Sequence, residues 1–284
     1  LPTRSSPMSP RPPAPRCAAD EMKPLSAFPV SARRELRGVL FDIDDTLTTE
    51  GRLTAVAYAA MERLKNAGLL VVPITGRPAG WCDHFARMWP VDAVVGENGA
   101  FYFRYDHAEK RMHRRYHDTA ENRATNWQRL IDLGAEITET VPGCSVSADQ
   151  SYRETDLAID FREDVPSLDQ SAIDQIVELM NAAGMTAKIS SIHVNGWFGD
   201  YDKLTMTRSL FSEMFEIDLE ADKERYVFCG DSPNDQPAFA FFPNAVGVAN
   251  VRGLADQLTT PPAYVTEHDA GDGFAELVDF LLGP

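Results

Sequence analysis

From Leu36 onward the apolar and polar positions fall into two recurring periods. Gly38-Val39-Leu40-Phe41 is a short apolar run ending in acids, which predicts a buried strand with a polar loop at its C-terminal end. Residues 52–67 place Leu53, Val56, Ala57, Ala60, Met61 and Leu64 at helical spacing, and Gly68 follows as a C-cap. Leu69 to Ile74 predicts the next buried strand, closed by Thr75-Gly76-Arg77-Pro78. A helix to about Trp89 and a strand at Ala93-Val94-Val95-Gly96 come next. Strand, helix, strand, helix, strand implies right-handed crossovers and a parallel sheet.

Near residue 100 the pattern changes. Phe101-Tyr102-Phe103 and Arg111 to Tyr116 predict a hairpin, residues 119–135 a helix, and Leu157 to Phe161 a half-buried strand. Residues 168–183 are helical, with Ile173, Ile176, Val177 and Met180 on one face, and Met185 to Ser190 and Ile192 to Phe198 read as two more strands. The α/β pattern resumes at about Asp202: a helix carries Lys203, then come strands at Tyr226–Cys229, Ala245–Val248 and Ala263–Thr266 and a helix over 273–282. The expectation is an α/β fold, a doubly wound, Rossmann-like parallel sheet over 36–99 and 199–284, with an α+β module inserted at 100–198. Residues 1–35, rich in Pro, Ser, Ala and Arg and without periodicity, read as a disordered tail, or as sequence upstream of a start at Met22.

Composition narrows the function. The 284 residues carry a formal net charge of −16, which disfavours nucleic acid and anionic membranes as partners. A small anionic substrate then needs local positive charge, and a bound divalent cation is one way to supply it. No apolar run approaches the roughly 18 residues that span a bilayer. The cysteines Cys17, Cys82, Cys144 and Cys229 form no CxxC pair, so reduced thiols in the cytoplasm are expected, with Cys229 a small core residue.

Three of four notable segments lie at predicted strand ends, where open α/β sheets bind ligands. In Asp42-x-Asp44-Asp45-Thr46 the period of two lets Asp42 and Asp44 point the same way; the pair calls for a hard cation such as magnesium, or is a solvated acidic turn. Thr75-Gly76-Arg77 offers a hydroxyl and free amides to an anion, or is a common turn. Lys203, near a helix start, is a candidate only in company. Gly230-Asp231-Ser232-Pro233-Asn234-Asp235 places two carboxylates four apart after a buried strand, a metal-site signal or an acidic helix cap.

In this order and topology the four segments resemble the haloacid dehalogenase (HAD) superfamily of phosphotransferases over nearly all of 36–284. The insert resembles its C2-type cap, subtype C2B, and Glu97-Asn98-Gly99-Ala100 is similar to the tetrapeptide that precedes such caps. The resemblance implies a Mg2+-dependent phosphatase acting on a small-molecule phosphate ester, closest to the sugar-phosphate phosphatases. It implies Asp42 as the nucleophile that forms an aspartyl-phosphate and Asp44 as general acid and base. Magnesium would sit on the Asp42 carboxylate, the Asp44 carbonyl and Asp231, supported by Asp235; Thr75, Gly76, Lys203 and Asn234 would hold the phosphoryl oxygens. Arg77 and Asn195 are candidate substrate residues, and Tyr152, Arg153, His193 and Trp197 are further polar or aromatic residues of the insert. His107, His113 and His117, with nearby arginines, read as a solvated hairpin face. Two other functions are compatible with the pattern: a sugar phosphomutase, in which a second sugar hydroxyl accepts the phosphoryl group, and a non-catalytic metabolite binder. The absence of GxGxxG and GxxxxGK[ST] disfavours a dinucleotide enzyme and a P-loop NTPase.

Overall fold

The computed structural model describes residues 22–283. Its strands are β1 (Lys23–Pro24), β2 (Gly38–Phe41), β3 (Leu70–Pro73), β4 (Val94–Gly96), β5 (Phe101–Asp106), β6 (Arg111–Tyr116), β7 (Ser145–Val146), β8 (Asp156–Asp160), β9 (Thr186–Ile189), β10 (His193–Trp197), β11 (Tyr226–Gly230), β12 (Asn244–Gly247) and β13 (Tyr264–Val265).

Six strands form one sheet in the order β1-β13-β12-β11-β2-β3, every pair parallel. A single parallel bridge, Ile74 to Val95, joins β4 to its edge. Period-two alternation sends the side chains to two cores. Val39, Phe41, Val71, Val227 and Cys229 pack on the helices Ala55–Asn66 and Ala270–Leu282. Leu40, Val72, Tyr226 and Phe228 pack on the opposite face with Leu210 and Phe211 of the helix Lys203–Phe215. Helices on both faces make the sheet doubly wound, and parallel strands bring all their C-terminal ends to one edge.

The second sheet, β7-β8-β10-β9, is antiparallel. Leu157, Ile159 and Val194 face the helices Ala120–Thr140 and Gln170–Ala182 and form a separate core with Leu130, Ile137 and Ile176. Asp156, Ala158 and Asp160 lie opposite Trp197, Asn195 and His193 on the other face. That face is also covered, so β8 is buried along its whole length and not half-buried as its alternation predicts.

Two boundaries are corrected. The β5–β6 hairpin pairs antiparallel with β4, and Phe101 and Phe103 pack with Cys82 and Phe85, so it extends the edge of the parallel sheet and lies outside the inserted sheet. Residues 22–35, expected within the tail, are ordered: β1 pairs with β13, Leu25 and Phe28 are buried, and Val30–Glu35 is a helix. Two apolar anchors give that segment a place in the core despite its polar composition. The tail expected over 1–21 lies outside the described residues. No described helix is long and apolar enough to cross a membrane.

Candidate active site

The C-terminal ends of β2, β3 and β11 converge on one acidic, buried cluster. β2 carries Asp42 just beyond its last residue, and the Asp42 N–H donates to the Cys229 carbonyl at 2.9 Å, extending the β2–β11 ladder by one rung. Lys203, the first residue of its helix, reaches back so that Nζ stands 3.1 Å from Asp42 Oδ1 and 3.0 Å from Asp235 Oδ1. Asp202 caps that helix by accepting the Thr205 N–H at 2.7 Å, which fixes where Lys203 begins.

β11 ends at Gly230, and the loop beyond it folds on Asp235. The second oxygen of Asp235 accepts the Asp231 N–H at 3.1 Å. A Cβ on Gly230 would lie 2.4 Å from that oxygen, so this close approach requires glycine. Asp231 accepts from the Thr46 hydroxyl at 2.9 Å and from the Asn250 amide at 3.4 Å. Asn250 also donates to the Asp45 carbonyl at 2.9 Å, bracing a turn in which Asp45 is left-handed, with φ of 54°.

Asp42, Asp231 and Asp235 offer carboxylate oxygens within 4.8 Å of one another. Burial pushes the Asp42 carboxyl up to about 7, with Lys203 pulling against it and Asp235 and Asp44 adding to it. Burial, Asp235 and Asp42 push Asp231 well above the ordinary carboxylate range. Burial disfavours the Lys203 charge, yet Asp235 and Asp42 together raise its pKa above the usual lysine value. A set of hard, buried, mutually repelling oxygens suits a small divalent cation.

Thr75 follows β3. Its N–H donates to the Val95 carbonyl at 2.9 Å and its Oγ1 accepts the Arg77 N–H at 3.0 Å, which leaves the hydroxyl hydrogen available to an anion. Asp44 lies outside the three-carboxylate group. Its carboxylate takes the Arg77 guanidinium in a fork, at 3.0 Å from Nε and 2.8 Å from Nη2. Arg77, buried and stacked on Trp81 with its guanidinium carbon 4.6 Å from the ring centroid, extends further to Asp149 and Glu163. Gly76, Asn195, Asn234, Arg153 and His193 line the same small cavity as Asp42 and Asp44.

The insert contributes a second buried network. Arg153 donates to Asp149, Asp156 and the Gly76 carbonyl, the last at 2.8 Å, and Asn195 donates to Asp156 at 3.1 Å. Glu97, after β4, accepts the N–H groups of Ala79, Glu154 and Thr155 and so ties the sheet edge to the insert.

Ten sequence-derived candidates, Asp42, Asp44, Thr75, Gly76, Arg77, Asn195, Lys203, Asp231, Asn234 and Asp235, therefore cluster around one centre. Two of the insert residues do not join them. Tyr152 is 57% exposed and packs over Gly80, and Trp197 is a core residue whose indole N–H donates to the Tyr201 carbonyl at 3.2 Å. Of the hairpin histidines, His107 packs edge-on to Tyr105 and His117 lies 4.8 Å from the Tyr201 ring, while His113 adjoins Asp106 and Glu109. Thr46 was quoted in the first segment but given no role, and Asp149, Glu163 and Asn250 were not singled out by the sequence. Thr46 and Asn250 sit just past strand ends, the one signal that marked them; Asp149 and Glu163 are loop acids with none.

A family model described as haloacid dehalogenase-like hydrolase matches residues 39–171. A phosphoglycolate phosphatase of Haloarcula marismortui is 29% identical over 244 residues, covering 84% of this chain and 95% of that protein. One of Methanosarcina acetivorans is 26% identical over 253 residues, covering 87% and 97%. Among solved structures, a Thermoplasma acidophilum protein aligns with TM-score 0.64 at 17% identity, covering 87% of this chain and 98% of the other. The sucrose-phosphatase of Synechocystis aligns with TM-score 0.58 at 16% identity, again covering 87% and 98%. The chain is thus similar in sequence over residues 39–171 to the haloacid dehalogenase-like hydrolases, and it shares its fold with these solved structures.

Proposed function

We propose that this protein is a magnesium-dependent phosphatase of small phosphate monoesters that works through an aspartyl-phosphate on Asp42. The observation that carries the reading is Lys203 held between Asp42 and Asp235 with the Asp231 carboxylate alongside. A lysine so placed can neutralise an entering phosphoryl group while it orients the attacking carboxylate.

Asp42 attacks phosphorus, forming the acyl-phosphate bond as the ester P–O bond breaks. Asp44, aligned by Arg77, gives its proton to the departing alkoxide, then takes one from the water that hydrolyses the intermediate. Thr75, the Gly76 amide, Lys203 and Asn234 hold the equatorial oxygens. The carboxylates of Asp42 and Asp231 and the Asp44 carbonyl would hold Mg2+, with Asp235 supporting the shell through the Asp231 amide. The ion supplies charge neutralisation between the carboxylate nucleophile and the phosphate dianion. The inserted α+β module acts as the C2B-type cap that selects the leaving group and excludes bulk water.

The relatives carry the name phosphoglycolate phosphatase, and a structural neighbour is a sucrose-phosphatase. A panel for this chain therefore opens with phosphoglycolate and includes sugar phosphates. The test is phosphate release over that panel with Mg2+, repeated in EDTA and with Asp42→Asn. Loss of release in both supports the reading. Undiminished release in either one sinks it, and an isomeric sugar phosphate in place of free phosphate points to a mutase.

A further inference from the structure

Arg77 and His193 share one carboxylate. Glu163 places Oε1 2.7 Å from Arg77 Nη2 and Oε2 2.9 Å from His193 Nε2. The two partners come from different parts of the chain, the loop after β3 and the start of β10, and both are buried, 4% and 3% exposed at the side chain. Glu163 is 27% exposed, so of the three it is the one with a way out to solvent. Beside it opens a cleft of about 200 Å³ that Asp44, Arg77 and Ile192 also line.

Glu163 fits this place imperfectly. Its Oε2 lies 2.9 Å from His193 Nε2, yet that buried nitrogen has no hydrogen bond of good geometry. A buried polar atom left unpaired is unfavourable. The misfit has a cause in the backbone. Asp160 accepts the N–H groups of Arg162, Glu163 and Asp164 at 2.8, 2.7 and 2.8 Å, which pins the turn and limits where the Glu163 carboxylate can go. An untethered carboxylate is free of that limit and can meet the Arg77 fork and His193 together.

The same guanidinium nitrogen that holds Glu163, Nη2, lies 2.8 Å from Asp44 Oδ1. The anion site is thus within one guanidinium group of the residue assigned to protonate the leaving oxygen. Only a short spacer fits between an ester oxygen at Asp44 and a carboxylate in the place of Glu163.

We propose that Arg77 and His193 form a specificity pair for a carboxylate on the leaving group. The substrate class is a short phosphorylated hydroxy acid, and Glu163 is a built-in occupant of that anion site, displaced into solvent when substrate enters. The proposal rests on the phosphatase reading above. Its test compares phosphoglycolate with ethyl phosphate, the same two-carbon skeleton without the carboxylate, in steady-state phosphate release by the wild type, Glu163→Gln and His193→Gln.

The wild type is expected to have the lower KM for phosphoglycolate. Glu163→Gln, which removes the competing charge, is expected to raise the preference for phosphoglycolate over ethyl phosphate by roughly two- to fivefold through KM, the scale of a partly exposed ion pair. His193→Gln lowers the preference. A preference that is unchanged or reduced in Glu163→Gln overturns the proposal, and because Glu163 is partly exposed that variant decides the matter even if His193→Gln does not fold. Equal KM values for both esters in the wild type overturn the anion site and leave the phosphatase standing. Release from neither ester overturns the phosphatase reading, and this proposal with it.

Discussion

Lys203 is one cation among three buried carboxylates, and each neighbour depends on it. Lys203→Met leaves Asp42 and Asp235 facing each other without their shared partner. Breaking a buried pair in this way costs about 3–5 kcal/mol, read as a fall in denaturation midpoint. Loss of the proposed phosphoryl contact is expected to lower kcat by ~10²-fold or more. The acids also set a pH dependence. Asp42 is raised to about 7 in the fold, chiefly by burial, so the folded state binds more protons than the unfolded chain between the ordinary aspartate value and about 7. Stability contributed by this group is therefore full at low pH and lost as pH rises through that window. Asp231 shifts in the same direction. Magnesium, which favours the ionised carboxylates, is expected to raise the melting temperature more at pH 8 than at pH 5, as thermal unfolding with Mg2+ against EDTA will measure. Asp42 and Asp231 were legible in the sequence because each follows a buried strand, and Lys203 only in their company. Glu163 and Asp149 were not: they are two of 43 acidic residues, and their meaning comes from an arginine distant in the chain that they touch only in the folded protein.

The strand ends deliver these residues. Gly230 closes β11 where the Asp235 carboxylate crosses the backbone, and Gly230→Ala forces the two apart. The expected cost is about 1–3 kcal/mol, the range for overpacking a well-filled core, together with a weaker response to Mg2+ in a thermal-shift titration. The other edge of the sheet gives a second test. Leu25 and Phe28 are 4% and 2% exposed, so a chain starting after Phe28 is expected to lose ~4 kcal/mol or more relative to one starting at Met22, seen in urea denaturation. The central strands could be read from sequence because apolar runs of four or five residues ending in acids leave few alternatives. β1 could not, since two residues, Lys23 and Pro24, carry no periodicity. The place of the β5–β6 hairpin was equally hidden. Its alternation shows that it is a hairpin, but only pairing with β4 and the packing of Phe101 and Phe103 decide which sheet it joins.

Across the whole molecule the two sheets meet over the acidic centre, and three links join them. Arg77 spans to Glu163 and Asp149, Arg153 reaches the Gly76 carbonyl, and Glu97 accepts the amides of Glu154 and Thr155. Glu97 is pushed up to about 8, first by burial and then by Asp156. Its oxygens serve several donors at once, so Glu97→Ala leaves those amides without acceptors and is expected to cost about 2–4 kcal/mol, while Glu97→Gln, which keeps a carbonyl acceptor, costs less; chemical denaturation separates the two. The net charge of −16 bears on which partners are disfavoured, but not on these links, which join residues that no local pattern relates.

The pairing of β2 with β11 has a consequence in time. Thr46 and Asp231, bonded across that seam, are 185 residues apart in the chain. Closing so long a loop is a late and slow event compared with forming the helices on either side. The proposed cation site therefore comes into being after most of the secondary structure. In refolding from urea, helical circular dichroism is expected to recover first, and the ability of Mg2+ to slow unfolding only afterwards, so that the metal becomes a clock for the closing of this seam.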